Sequence, residues 1–377
     1  MRTDDGSKAR LPTVNLARLH DSGVSIWLDT LSRQLLASGE FTSLIRDFSV
    51  TGATSNPTIF AKAIIGSELY DEQLRDEGSR GRDLRELFFA LALDDVRSAA
   101  RLLRDSYESS GGSDGFISFE CTPDLADDTA GTIDQATELW QRLDLPNVMI
   151  KVPATPAGVP AIEELTRRGV NVNVTLLFSV ERYEEVADAY QRGLNARAEE
   201  GESLAGIASA ASFFLSRIDT KADDKLRPDS PIGGRVAVAC ARDAYQRYLA
   251  KFSGPAWERL EGLGAHTQRL LWASTGTKDP GFSDVLYVEE LIGPGVINTM
   301  PLQTLYAFAD HGSVAETLQV DPVQAAQTLA EVAAAGIDLS AIATELEREG
   351  LDSFSDSYHE LLACIESKLP LEDVPAR

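Results

Sequence analysis

Histidine, cysteine and lysine are among the scarce residues of this chain. Its 377 residues include four histidines, His20, His266, His311 and His359, and three cysteines, Cys121, Cys240 and Cys364. No histidine sits in an HExxH or HxH arrangement, so no histidine-based metal site is expected. The cysteines are odd in number and lack CxxC spacing. That argues against a disulfide framework or a zinc knuckle and for a reducing cytosol. No apolar stretch approaches transmembrane length, and the N-terminal Met-Arg-Thr-Asp-Asp-Gly-Ser-Lys has no signal-peptide core. Positive charge is short as well: 35 Lys and Arg face 59 Asp and Glu, a formal net charge of −24. Nucleic acid and anionic membrane surfaces are therefore poor partners, and a cytoplasmic enzyme, monomeric or homodimeric, is expected. A site for an anionic substrate must gather its cations locally.

What the chain does contain is alternation. Short apolar runs at Ser25–Leu28, Ser49–Ala53, Gly115–Glu120, Val148–Val152, Val170–Thr175, Ile207–Phe214, Leu270–Ser274 and Gly295–Asn298 read as strands. Helix-period segments lie between them, such as Asp83–Tyr107, Thr132–Leu143, Pro156–Arg168 and Val180–Ala198. Strand–helix alternation predicts a parallel sheet, and eight strands predict closure into one (β/α)8 TIM barrel over residues 1–377. Beyond the minimal repeat, the pattern predicts an N-terminal arm over 1–22, a helical insertion at about 220–263 and C-terminal helices over 302–370.

In such a barrel the chemistry lies at the C-terminal strand ends. The polar residues there are Asp29, Asn56, Glu120, Lys151, Asn173 with Thr175, Ser212 with Arg217, and Ser274 through Lys278. Each has a plainer reading. Asp29 or Thr30 can N-cap the next helix, and Asn56-Pro57 can be turn chemistry with proline at the first helical position. Glu120 can be a solvated loop acid. Arg217 can pair with Asp219, and Lys278 with Asp279. Asn173 and Thr175 are harder to dismiss: both face the side of a strand opposite Val172 and Val174, by the period of two. Ser274-Thr275-Gly276-Thr277-Lys278 lacks P-loop spacing but can offer backbone N–H groups to a phosphate.

Of the eight lysines only Lys151 closes an apolar strand, in Val148-Met149-Ile150-Lys151-Val152-Pro153. The plain alternative is a side chain snorkelling to the core rim. Partial desolvation disfavours the charged ammonium, and a neutral amine attacks carbonyls. With Asp29 and Glu120 on other strands to move protons, the set suits Schiff-base chemistry, in which an iminium serves as electron sink for C–C cleavage.

The pieces Gly52-Ala53-Thr54-Ser55-Asn56-Pro57, Met149-Ile150-Lys151-Val152-Pro153-Ala154-Thr155 and Asn171-Val172-Asn173-Val174-Thr175-Leu176-Leu177-Phe178-Ser179 together resemble transaldolase, in its longer bacterial branch. The resemblance implies transfer of a dihydroxyacetone unit in the non-oxidative pentose phosphate pathway. The donor is sedoheptulose 7-phosphate or fructose 6-phosphate; the acceptor is glyceraldehyde 3-phosphate or erythrose 4-phosphate. No metal or organic cofactor is implied. Lys151 would form the Schiff base, and Asp29 would take the C4 hydroxyl proton. Glu120, with Thr175 and a water, would move protons during imine formation and hydrolysis. Asn56, Asn173 and Ser212 would hold hydroxyls, and Arg217 and Lys278 the phosphate. Many family members place an arginine where Lys278 stands, so Ser274 or Thr275 shares the phosphate role in this reading. The competing aldolases that release free dihydroxyacetone tend to carry Gln at the position of Glu120 and Tyr at that of Phe214. A non-catalytic barrel and a metal-dependent aldolase are the remaining alternatives.

Overall fold

The computed structural model describes residues 13–227, 230–319 and 322–369. Eight parallel strands close into a barrel in sequence order. They are β1 (Val24–Leu28), β2 (Val50–Thr54), β3 (Ile117–Glu120), β4 (Val148–Pro153), β5 (Val172–Leu177), β6 (Ser209–Phe214), β7 (Gln268–Ala273) and β8 (Val296–Met300). Each expected strand is present, with ends shifted by a few residues.

The period of two divides every strand into an outward and an inward set. Outward side chains such as Ile26, Leu28, Ile150, Val152, Val172, Val174 and Trp272 join the large core beneath the helices. Inward ones, Trp27, Phe116, Met149, Ala210, Leu271 and Ile297, fill the lumen. A packed interior of this kind is what an eight-stranded barrel requires. Trp27 takes its space from Gly52 on the neighbouring strand: a Cβ there would lie 2.4 Å from the indole Nε1. The indole N–H donates to Asp114 Oδ1 at 2.8 Å, so the lumen is closed by a hydrogen-bonded aromatic.

The connections depart from a uniform repeat. Residues 1–12 of the expected arm lie outside the described residues; its remainder forms the helix Val14–Asp21, which packs against the helix Leu302–His311 after β8. The segment expected as an insertion at 220–263 includes the barrel's own sixth helix. Val236–Lys251 packs against the preceding barrel helix Val180–Glu199 and against β7, so it closes the layer and is no addition to it. By contrast, the β7–β8 connection holds only the four-residue helix Leu286–Glu289. The helix Pro322–Ala334 packs on Val236–Lys251.

The last helix, Leu339–Lys368, is 30 residues long. It packs on the helix Pro57–Ile65, on the helix Ser216–Asp223 and on β5. These elements carry strand-end residues of the mouth, so the C-terminal helix crosses the end of the barrel where chemistry is expected. Thr58 Oγ1 and Ser357 Oγ share a hydrogen bond at 2.6 Å, and Lys221 pairs with Glu345 and Glu349 at 2.8 and 2.6 Å. Gly350 makes the crossing possible: a Cβ there would stand 3.0 Å from Leu176 Cδ2 and 3.8 Å from Arg217 Nη1.

Candidate active site

Cross-strand register builds the centre. Glu120 on β3 is the partner of Lys151 on β4, and Lys151 is the partner of Asn173 on β5. Lys151 shares inward parity with Met149, Glu120 with Phe116, Asn173 with Thr175, Ser212 with Ala210, and Asp29 with Trp27. One alternation thus aims them all into the mouth.

Lys151 is 7% exposed, so the snorkelling alternative fails. Its Nζ pairs with Glu120 Oε1 and donates to the Ser55 carbonyl at 3.3 Å. Burial pushes the Glu120 carboxyl up, opposed by the charge and hydrogen bond of Lys151. Its second oxygen, Oε2, is buried without a partner among the described residues. Glu120 also lines a cavity of about 10 Å³, together with Ser55, Asn56, Phe119 and Tyr358. That is room for one water.

Burial also pushes Asp29 up to about 6, against the lowering charges of Lys278 and Lys151. Asp29 does not cap a helix: the next one, Arg33–Ala37, is capped by Ser32. A buried carboxylate with that value can hold or release a proton near neutrality.

Asn173 and Ser212 are pre-organised by each other. Ser212 Oγ donates to Asn173 Oδ1 at 2.7 Å, and Asn173 Nδ2 donates to Ser118 Oγ at 2.9 Å. Thr175 lies one pleat further toward the mouth, 3% exposed. Asn56 keeps its plainer role as well: Oδ1 caps the helix Pro57–Ile65 through the Ile59 N–H at 2.9 Å, with Pro57 in its first turn. Its amide N–H groups make no hydrogen bond among the described residues.

The cations stand at the rim. Arg217 lies over the Phe214 ring, 5.9 Å from its centroid, and does not pair with Asp219. Lys278 is exposed and makes no ion pair among the described residues; Asp279 accepts from the Gly281 N–H instead. Ser274 and Ser216 share a hydroxyl hydrogen bond at 2.7 Å, which ties the end of β7 to the residue before Arg217. Thr275 is fully buried and donates to the Thr299 carbonyl at 2.9 Å, so its hydroxyl is committed to the fold. Leu176 and Ser274 hold φ of +60° and +56°. Non-glycine residues pay for that conformation, and strain of this kind gathers at functional strand ends.

The sequence does not single out Ser118 or Ser216, and it predicts the C-terminal helices without saying that the last one crosses the mouth. Ser118 was legible from its parity with Glu120. The crossing was not, because amphipathic pattern says nothing about which end of a barrel a helix covers.

Comparison with known proteins agrees with this geometry. Residues 26–365 match the family model "Transaldolase/Fructose-6-phosphate aldolase". The chain is 46% identical to a transaldolase of Frankia alni over 360 residues, covering 94% of this chain and 97% of that protein. It is 48% identical to transaldolase 1 of Streptomyces coelicolor over 365 residues, covering 95% and 96%. A transaldolase of Mycolicibacterium smegmatis is 46% identical over 361 residues, covering 94% and 97%. Such identity along nearly the whole of both chains makes this a transferase of transaldolase type, and the chain belongs to the transaldolase/fructose-6-phosphate aldolase family.

Proposed function

We propose that transfer of the dihydroxyacetone unit runs through a Schiff base on Lys151. The observation that carries this reading is the buried Lys151 ammonium paired with Glu120, beside Asn173 on the next strand and within reach of the Asp29 charge. The ammonium first gives a proton to Glu120, whose carboxylate burial makes a willing acceptor, and becomes the neutral amine. Lys151 then adds to the C2 carbonyl of the ketose phosphate, and Glu120 with Thr175 returns a proton so that water leaves the carbinolamine. In the iminium, Asp29 takes the C4 hydroxyl proton. The bond between C3 and C4 breaks, its electrons move to the iminium, and the aldehyde leaves. The enamine that remains is held by Asn173, Ser212 and Asn56 until an acceptor aldehyde adds. Asp29 then returns its proton, and water hydrolyses the new iminium.

Arg217, with Ser274 and Lys278 at the rim, binds the phosphate of donor and acceptor. Lysine offers a point charge where arginine would offer a fork, so Arg217 carries the bidentate contact. Transfer rather than release is favoured by Glu120 and Phe214 together. The reading places the protein in the cytoplasm, as monomer or homodimer. Among the described residues no helix is long and apolar enough to cross a membrane, and all three cysteines are free and buried.

The test is mass-spectrometric mapping after incubation with fructose 6-phosphate and borohydride. A three-carbon adduct on Lys151 supports the reading; an adduct elsewhere, or none, overturns it.

A further inference from the structure

Arg217 sits on an eight-residue helix, Ser216–Asp223, whose first turn has no side-chain cap. A helix that short does not hold itself in place. The Arg217 guanidinium has no ion pair among the described residues; it lies over the Phe214 ring and close to Gly350 of the C-terminal helix, so where it points depends on where its helix is held. Besides the Ser216–Ser274 hydroxyl bond at its start and the Gly234 N–H that Asp223 accepts at 3.1 Å at its end, the helix is pinned from outside at two further places. One is Lys221, paired with Glu345 and Glu349 on the C-terminal helix, a partly exposed contact of the weak kind.

The other is Asp219, two residues after Arg217 and 2% exposed. Its Oδ1 accepts the Ala237 N–H at 2.7 Å, in the first turn of Val236–Lys251, a helix that lacks a side-chain cap of its own. Its Oδ2 accepts the Tyr287 hydroxyl at 2.7 Å, from the β7–β8 connection. Burying a carboxylate is costly unless both oxygens are bonded, and here both are. Asp219 therefore ties the Arg217 helix to two segments, the next helix of its own β6–β7 connection and the β7–β8 connection. The second of these also carries Lys278 and Ser274.

We infer that Asp219, through Ala237 and Tyr287, is a positioning residue that holds Arg217 in register with the substrate phosphate. This rests on the reading of Arg217 as a phosphate ligand. Asp219 touches no substrate; it acts through the helix.

The experiment measures KM and kcat for fructose 6-phosphate in Asp219→Asn, Tyr287→Phe and Arg217→Ala, and in each of the first two combined with Arg217→Ala. Inorganic phosphate serves as a competitive probe of the anion site. Loss of a hydrogen bond to a buried charge predicts about a fivefold to tenfold rise in KM and in the phosphate inhibition constant, with kcat within about twofold. Neither variant should add to the loss already caused by Arg217→Ala. Tyr287→Phe removes one hydroxyl and keeps the ring, so it remains a test where Asp219→Asn fails to fold. An unchanged KM, a fall in kcat instead, or losses fully additive to that of Arg217→Ala would overturn the inference and leave Asp219 a structural anchor. If Arg217→Ala itself leaves KM and phosphate inhibition unchanged, the phosphate reading fails first, and the positioning role falls with it. An Arg217 loss without a matching loss in the other two overturns the positioning role alone.

Discussion

Lys151 and Glu120 form an ion pair inside the barrel mouth, on cross-strand partner positions of β4 and β3. Neither side chain is more than 11% exposed. A buried pair of this sort gives little net stability, and breaking it by removing one partner leaves the other uncompensated. The proton transfer proposed between the two groups gives the pair a role that stability does not.

Glu120→Gln keeps the shape and removes the proton acceptor. Imine formation should slow, and kcat for transfer should fall by about 10²- to 10³-fold. Stopped-flow measurement of Schiff-base formation should locate the loss before C–C cleavage. A slowed cleavage with normal imine formation would contradict the assignment.

Asp29 must be ionised to accept the C4 proton, and burial places it at about 6. The rate of C–C cleavage should therefore rise with pH through about 6. Lys278 is the largest influence holding that value down, ahead of Lys151. Lys278→Met should move the rise to higher pH, beyond any effect on phosphate binding. A pH–rate profile with the same midpoint in both proteins would contradict this.

The same carboxylate weighs on stability. Its folded value lies above the ordinary value of 3.8, so the native state binds the proton more tightly than the unfolded chain. Stability should thus rise as pH falls from about 7 through 6 toward 4 as far as this group is concerned. The difference corresponds to about 3 kcal/mol at most at neutral pH. Asp29→Asn should raise the urea midpoint at pH 7.5 while C–C cleavage falls by about 10²-fold or more. A lower midpoint would show that the buried charge is not a burden.

Gly350 and Leu176 touch where the C-terminal helix crosses the mouth. Gly350→Val adds atoms against Leu176 and Arg217, and overpacking of this size costs about 1–3 kcal/mol. If the helix yields by lifting, KM for fructose 6-phosphate should rise with little change in the Lys151 trapping rate. Unchanged kinetics would mean that the helix end moves without disturbing the site.

Gly52→Ala is the corresponding test of the lumen. Its Cβ would meet the indole of Trp27 at 2.4–2.6 Å, with no flexible chain end to give way. A loss of about 3 kcal/mol or more is expected in urea unfolding.

Much of this was legible in the sequence because a barrel is periodic. The eight strands follow from short apolar runs between helical segments. The site follows from parity: a polar residue at an inward position, such as Asn173 or Thr175, has no reason to be there for packing. What stayed hidden depends on contacts between distant segments. Nothing near Asp219 announces that it bonds Ala237 and Tyr287; a surface pair with Arg217 is the plain alternative the sequence offers. The segment around Val236–Lys251 looked like an insertion because a long stretch separates it from β6, yet it packs as a barrel helix. The C-terminal helix carries ordinary amphipathic periodicity, and only Gly350, small at a close crossing, hints at what it covers.

The account stands or falls on Lys151. Fructose 6-phosphate and borohydride, followed by peptide mapping, should leave a reduced three-carbon adduct on Lys151 and on no other lysine, and Lys151→Ala should yield no adduct and no transfer. An adduct at another residue, or full transfer activity in Lys151→Ala, would contradict it.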